Sequence, residues 1–209
     1  MMAKKTFPEM SSYISMALTP MVITARMVKR EQPDAKICFV GPCSAKKLEA
    51  NRRSVRSYVD FVLTFEELQG MFDAKDIDFA TLEAGPEDEM VEGSTMARGF
   101  AMGGGVAAAV VEAVHHIDPS VQMKFMAADG LRDCRKMLLM AKTGRYDGYL
   151  LEGMACPGGC VAGAGTIQPV KDSQKNVENF KAQAAEKSTT KSPYLDRLEE
   201  VAERGPKQH

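Results

Sequence analysis

Apolar residues recur at helical spacing in some segments of the chain and form short β-rich runs in others. The first helical pattern lies within residues 10–31, and its apolar positions are Met21, Ile23, Met27 and Val28. Pro20 suits the first turn of this helix, which we expect to end before Gln32. The apolar stripe is typical of a helix face that packs into a core.

Strand-like and helix-like segments then alternate. The strands are predicted at residues 35–40, 58–63, 122–127 and 149–151, and the helices at 65–72, 106–116 and 131–142. Thr64 followed by Glu67 predicts a capping box at the start of the helix over 65–72. The alternation predicts an α/β fold with mostly parallel strands and with chemistry on the loops at strand ends.

Two stretches depart from this pattern. Residues 73–93 are acidic and irregular. From residue 171 the composition becomes rich in Lys, Glu, Ser and Gln, so we predict one domain over 1–170 and a peripheral helix or partly disordered tail over 171–209.

Charge and hydropathy exclude some classes of partner. The 27 Lys and Arg residues nearly balance the 28 Asp and Glu residues, which argues against nucleic acid or an anionic membrane as the partner. No apolar run approaches the roughly 20 residues that cross a bilayer, and residues 1–8 lack the apolar stretch of a secretory signal. We therefore expect a cytoplasmic protein.

The cysteines indicate metal chemistry. Cys156 and Cys160 flank Pro-Gly-Gly at a predicted strand end, and Cys43 follows another strand, so soft thiolate ligands for an iron–sulfur cluster are available on two loops. The spacing by itself also permits zinc. Cys38 and Cys134 lie in apolar or helical settings and are predicted to be small buried hydrophobic residues.

Two longer motifs carry a resemblance. Residues 41–49 read Gly-Pro-Cys-Ser-Ala-Lys-Lys-Leu-Glu, and residues 152–165 read Glu-Gly-Met-Ala-Cys-Pro-Gly-Gly-Cys-Val-Ala-Gly-Ala-Gly. They resemble, in order, the second and third active-site motifs of the [FeFe]-hydrogenases, in the C-terminal H-cluster domain of the iron-only hydrogenase large subunit. The resemblance covers roughly residues 6–170 and implies the fold of that large subunit in incomplete form.

The resemblance implies the H-cluster, a [4Fe-4S] cluster joined to a two-iron subcluster that carries CO, CN and a bridging dithiolate. Cys43 and Cys156 match cubane ligands, and Cys160 matches the cysteine that bridges the cubane and the two-iron unit. The family's first motif, a Cys-Cys-Pro type sequence with the remaining cubane ligand and a proton-transferring cysteine, does not occur in this chain.

Five further residues match positions of the family. Lys46 matches the lysine that donates to a cyanide ligand, Met154 a methionine beside the two-iron unit and Phe100 an aromatic lining the cluster pocket. Ser15 matches a serine of the proton path, and Glu49 belongs to the second motif, where it could accept hydrogen bonds or pass protons. Each has an ordinary alternative: surface lysine, core methionine or phenylalanine, helix-surface serine, and a glutamate at a helix start. The glycine run at 103–105 lacks the spacing of a phosphate-binding loop.

The complete protein is accordingly expected to be an enzyme that interconverts two protons and two electrons with H2, with ferredoxin or another iron–sulfur carrier and hydrogenase maturation proteins as partners. This stretch alone is expected to be inactive. The alternative is a non-catalytic hydrogenase-like protein of iron–sulfur assembly or sensing, and a structural zinc protein is the third reading.

Overall fold

A computed structural model of the chain describes residues 2–83, 85 and 92–202. The chain forms two compact units, each built from separate stretches of sequence. The first unit comprises Met1–Met16, Met90–Gly163 and Gln168–Ser192, and the second comprises Ala17–Glu89, Ala164–Ile167 and Pro193–His209. The predicted domain boundary at residue 170 does not coincide with the limits of these two units, and it stays a prediction.

The second unit is built around one pair of parallel strands. Strand β1 (Cys38–Gly41) pairs with β2 (Phe61–Thr64), and helix α3 (Ala45–Ala50) lies in the crossover between them. The other helices that the described residues of this unit form are α2 (Pro20–Glu31), α4 (Phe65–Asp73) and α9 (Leu195–Ala202). Its core consists of Met21, Val22, Ala25, Val55 and Val59.

The start of α4 follows directly from its sequence. The Thr64 hydroxyl accepts the Glu67 N–H at 3.1 Å, and the Glu67 carboxylate accepts the Thr64 N–H at 2.8 Å. This reciprocal pair satisfies two N–H groups that would otherwise lack partners at the end of β2. The predicted capping box is confirmed.

The first unit contains a second pair of parallel strands. Strand β3 (Lys124–Asp129) pairs with β4 (Tyr149–Met154), and helix α7 (Leu131–Lys142) lies in their crossover. The other α-helices of this unit are α1 (Met2–Thr6), α5 (Thr95–Arg98), α6 (Gly105–Ile117) and α8 (Val170–Ala182). Short 3-10 helices cover Pro8–Tyr13, Cys160–Ala162 and Thr189–Lys191.

The predicted mixture of helices and parallel strands is confirmed, and most differences concern element ends. The helix over 131–142 has the predicted bounds, whereas β4 continues to Met154 rather than ending at residue 151. Within α2 the buried positions are Met21, Val22 and Ala25, and Ile23 is only half-buried. The predicted tail contains α8 and α9. Residues 84, 86–91 and 203–209 of the predicted irregular segment and tail lie outside the described residues.

Within the described part of the chain, every helix is too short or too polar to span a membrane.

Candidate metal centre

The loop after β4 carries the two clustered cysteines. Gly158 and Gly159 have φ angles of +92° and +94°, a backbone region that L-residues with side chains rarely adopt, and they turn the chain sharply between Cys156 and Cys160. Neither thiol is joined in a disulfide; Cys156 is half-buried and Cys160 is exposed. We call residues 156–160 the cysteine loop.

A glycine-rich segment, residues 99–105, lies against the cysteine loop. Met102 and Gly159 form an antiparallel bridge, and the Val161 N–H donates to the Ala101 carbonyl at 3.1 Å. A Cβ placed on Gly159 would lie 2.5 Å from the Gly103 nitrogen, so this approach requires glycine. The structure thus places the glycine-rich segment, which contains Phe100, beside the cysteine loop, and the predicted role of Phe100 in lining a cluster pocket stays a prediction.

Two carboxylates hold these segments, and sequence reasoning missed both roles. Asp129 Oδ2 accepts the Gly158 N–H at 2.7 Å. Glu152 accepts the N–H groups of Gly104 and Ala107 at 2.9 and 2.6 Å, at the start of α6. A carboxylate stabilises a helix N-terminus through the unpaired N–H groups and the helix dipole. The available signal was the position of Asp129 at the end of β3 and of Glu152 near the end of the neighbouring parallel strand β4.

The second unit carries Cys43, which follows β1 and is half-buried and free. On α3, the Lys46 ammonium donates to Glu49 Oε2 at 2.7 Å, and the Thr19 hydroxyl donates to Glu49 Oε1 at 2.5 Å. Lys46 and Glu49 have side chains that are 29% and 15% exposed. Lys46 is therefore a partly buried, paired lysine rather than a solvated one.

The ionisation of Glu49 follows from these contacts. Burial is the largest single influence and disfavours the charged carboxylate. The hydrogen bonds from Lys46 and Thr19, together with the charges of Lys46 and Arg52, outweigh burial and hold the pKa of Glu49 below its usual value. Glu49 is an ionised partner of Lys46 near neutral pH.

The tail of the third motif contacts the loop that carries Cys43. The Gly165 N–H donates to the Pro42 carbonyl at 2.7 Å, and the Gly165 carbonyl accepts the Glu66 N–H at 3.2 Å. A Cβ on Gly165 would lie 2.6 Å from Thr64 Cβ, so glycine is needed for this packing. Gly165 links the third motif to the residue that precedes Cys43.

The remaining cysteines differ from each other. Cys134 is buried, and its Sγ lies 3.3 Å from the carbonyl oxygens of Ala128 and Met154. Burial, and after it the charge of Asp129, raises the pKa of the Cys134 thiol. The prediction of a buried, hydrophobic-type cysteine is confirmed for Cys134 and is wrong for Cys38. Cys38 is exposed at the start of β1, and its partner across the sheet, Phe61, is also exposed, so this end of the strand pair lies at the surface.

The other predicted site residues fall at three places. Met154 is half-buried as the last residue of β4, and its carbonyl accepts the Gly130 N–H at 2.9 Å. Phe100 is half-buried in the glycine-rich segment. Ser15 is exposed and lies between the 3-10 helix at 8–13 and α2, outside any helix, so the helix-surface alternative is wrong for it.

The donor types suit an iron–sulfur cluster. The thiols of Cys43, Cys156 and Cys160 are soft ligands on loops and are neither buried nor joined in disulfides. Among residues 2–83, 85 and 92–202, no three His, Cys, Asp or Glu side chains group closely enough to hold a metal ion. The ligand set that the resemblance implies therefore stays a prediction.

The fold combines two pairs of parallel strands, and a loop that carries cysteine follows one strand of each pair. Comparison with known families identifies the class of protein: residues 1–164 match the family of the iron only hydrogenase large subunit, C-terminal domain. The chain belongs to this family.

Curated relatives include both hydrogenase and assembly proteins. The periplasmic [Fe] hydrogenase large subunit of Nitratidesulfovibrio vulgaris is 28% identical over 207 aligned residues, which cover 80% of this chain and 49% of the relative. The cytosolic iron-sulfur assembly component 3 of Rattus norvegicus is 29% identical over 201 aligned residues, covering 75% of this chain and 42% of that protein. The chain thus spans about half the length of these relatives.

Solved structures confirm the fold. An [FeFe]-hydrogenase from Chlamydomonas reinhardtii superposes with a TM-score of 0.72 at 19% identity, covering 95% of this chain and 68% of the other. A second [FeFe]-hydrogenase structure gives a TM-score of 0.72 over 97% of this chain and 68% of the other, also at 19% identity. The chain has the [FeFe]-hydrogenase fold.

Proposed function

We propose that this chain holds a [4Fe-4S] cluster through Cys43, Cys156 and Cys160, as the cluster-binding part of an [FeFe]-hydrogenase. The observation that carries the proposal is the cysteine loop. Its backbone is fixed by the Gly158 N–H to Asp129 and by the bridge between Gly159 and Met102, while both thiols stay accessible. A loop whose backbone is held at two points and whose thiols are not joined in disulfides favours a cluster over a purely structural role.

The second support is the contact between the two motifs. Gly165, at the end of the third motif, donates its N–H to Pro42, which directly precedes Cys43. Because Pro42 is next to the proposed ligand Cys43, the contact with Gly165 helps to orient the loop that carries Cys43. In the complete protein the bound group would be the H-cluster, which supplies the chemistry that interconverts protons, electrons and H2.

The test is anaerobic reconstitution of this chain with iron and sulfide. We expect about four iron and four acid-labile sulfide per chain, with loss of both in Cys156→Ala and Cys160→Ala. Cys134→Ala is the matched control and should retain the cluster, because Cys134 is buried and its thiol contacts the Ala128 and Met154 carbonyls. Equal iron content in all four proteins would contradict the proposal, and zinc in place of iron in the purified protein would favour the structural zinc reading.

A second candidate is a cluster-holding relative without hydrogen chemistry. One relative is named for cytosolic iron-sulfur assembly at an identity similar to that of the hydrogenase. The pairing of Lys46 with Glu49 at 2.7 Å also favours this candidate, because an ammonium bound to a carboxylate has less donor capacity left for a cyanide ligand.

Infrared spectroscopy distinguishes the two candidates. After co-expression with hydrogenase maturation proteins, the hydrogenase proposal requires bands of iron-bound CO and CN. A cubane without these bands supports the assembly or sensing role.

We extend the proposal to the electron-transfer partner and to the cellular compartment. We propose ferredoxin or another iron–sulfur carrier as the electron donor, tested by the rate at which reduced ferredoxin bleaches the cluster absorbance. We also propose the cytoplasm, as for the relatives named for cytosolic assembly, although one relative is named periplasmic. Fractionation of the native host would decide this.

A further inference from the structure

The side chain of Asp129 contacts the cysteine loop directly. It is the last residue of β3 and lies opposite Met154 in the strand register. Its Oδ2 accepts the N–H of Gly158 at 2.7 Å, midway along the sequence between Cys156 and Cys160. The carboxylate thus holds the backbone between the two thiols.

The same carboxylate packs against the glycine-rich segment. A Cβ on Gly103 would lie 3.0 Å from Asp129 Oδ2, so any side chain at residue 103 would press on the carboxylate. The Gly103 N–H itself points to the Gly158 carbonyl at 3.4 Å. Asp129 therefore contacts both segments at the point where they pair.

Among the described residues, no lysine, arginine or histidine forms a salt bridge with Asp129. Asp129 lines a cleft of about 450 Å³ together with Asp133 and Lys136. Lys136 is already paired with Asp133 at 3.1 Å. The nearby Cys134 thiol responds to the charge, because its pKa is raised first by burial and next by Asp129.

We propose that Asp129 is a positioning residue that fixes the cysteine loop and lowers the reduction potential of the cluster bound there. The inference rests on the proposed function. Cluster potentials depend on net charge and on hydrogen bonds to the cluster sulfurs. Asp129 occupies the Gly158 N–H, which could otherwise donate to sulfur, and adds a negative charge, and both effects disfavour the reduced, more anionic cluster.

The first test is a redox titration of the reconstituted protein monitored by electron paramagnetic resonance. Asp129→Asn keeps an acceptor oxygen for Gly158 but removes the charge, so we expect wild-type iron content and a more positive potential. Asp133→Asn is the matched control, since that aspartate lines the same cleft and is paired with Lys136, and it should leave the potential unchanged. Equal potentials for Asp129→Asn and wild type would overturn the proposed charge effect.

The second test needs no cluster. Hydrogen–deuterium exchange of the cysteine loop in the cluster-free chain should be about tenfold faster in Asp129→Ala, which loses a charge-assisted hydrogen bond, and near wild type in Asp129→Asn. Unchanged exchange in Asp129→Ala would overturn the positioning role. If the wild-type chain bound no iron, the proposed function and the effect on potential would both fail, and the exchange measurement would still decide the positioning role.

Discussion

Lys46 and Glu49 form an ion pair at 2.7 Å within the single helix that follows Cys43. The pair is anchored further, because the second oxygen of Glu49 accepts the Thr19 hydroxyl at the start of α2. Two of the three charged residues of the second motif, Lys46 and Glu49, therefore act on each other and connect α3 to α2. We expect that breaking the ion pair lowers the free energy of unfolding of the chain.

Glu49→Gln is expected to destabilise the chain by about 1–2 kcal/mol near neutral pH, because a partly buried ammonium loses its carboxylate. The pKa of Glu49 is lower in the folded state than in the unfolded state. Its stabilising effect is thus fully present above the unfolded pKa of about 4.3 and is lost as the pH falls through the folded pKa. Denaturant unfolding should show wild type losing its advantage over Glu49→Gln below about pH 4.

The control for Glu49→Gln is Asp133→Asn. Asp133 and Lys136 also form a pair three residues apart on a helix, but their side chains are 59% and 57% exposed. Exposed pairs contribute about 0–1 kcal/mol. Equal effects of the two substitutions would contradict the importance of burial and of Thr19.

Glu152→Ala should destabilise the first unit by about 1–3 kcal/mol, because it removes the acceptor of two N–H groups at the start of α6. Chemical denaturation followed by circular dichroism measures this. The comparison is Glu66→Ala at the exposed first turn of α4, which should change stability by about 0.5 kcal/mol or less. A similar loss in both variants would argue against a specific capping role for Glu152.

Gly159→Ala should cost about 3 kcal/mol or more and displace the cysteine loop. An added Cβ would lie 2.5 and 2.7 Å from backbone atoms of Gly103 and Ala101, and the φ angle of +94° adds strain. Thermal unfolding and iron content after reconstitution check the two consequences. Gly148→Ala is the control that tests backbone strain alone, because Gly148 has a φ angle of +77° and no atom lies within 4 Å of the added Cβ. This substitution should lower stability by about 1–2 kcal/mol.

Alkylation of the cluster-free chain should separate the cysteines by reactivity. The exposed Cys38 and Cys160 should react first, and Cys134 last, because burial and the charge of Asp129 raise the pKa of its thiol and reduce the thiolate fraction. Timed labelling with iodoacetamide and peptide mass spectrometry gives the order. Asp129→Asn should accelerate Cys134 labelling only modestly, since burial is the larger cause. Labelling of Cys134 before Cys38 would contradict the structure.

Local signals predicted much of the fold. Thr64 and Glu67 defined the start of α4, and the apolar period between Gly130 and Gly144 defined α7, because caps and helical periodicity depend on residues within a few positions of each other. The exposure of Cys38 was predicted wrongly, since an apolar run does not reveal that, among the described residues, β1 pairs with β2 alone.

The sequence by itself determined the family motifs, the positions of Cys43, Cys156 and Cys160 on strand-end loops, and the alternation of strands and helices. Only the tertiary structure decided that Asp129 and Glu152 hold the cysteine loop and the glycine-rich segment, and that Gly165 contacts Pro42. These partners are separated by 29, 48 and more than 100 residues, and their contacts form when parallel strands and loops pack together. Spacing along the chain encodes periodicity and caps, whereas a hydrogen bond between distant residues exists only where folding brings donor and acceptor together.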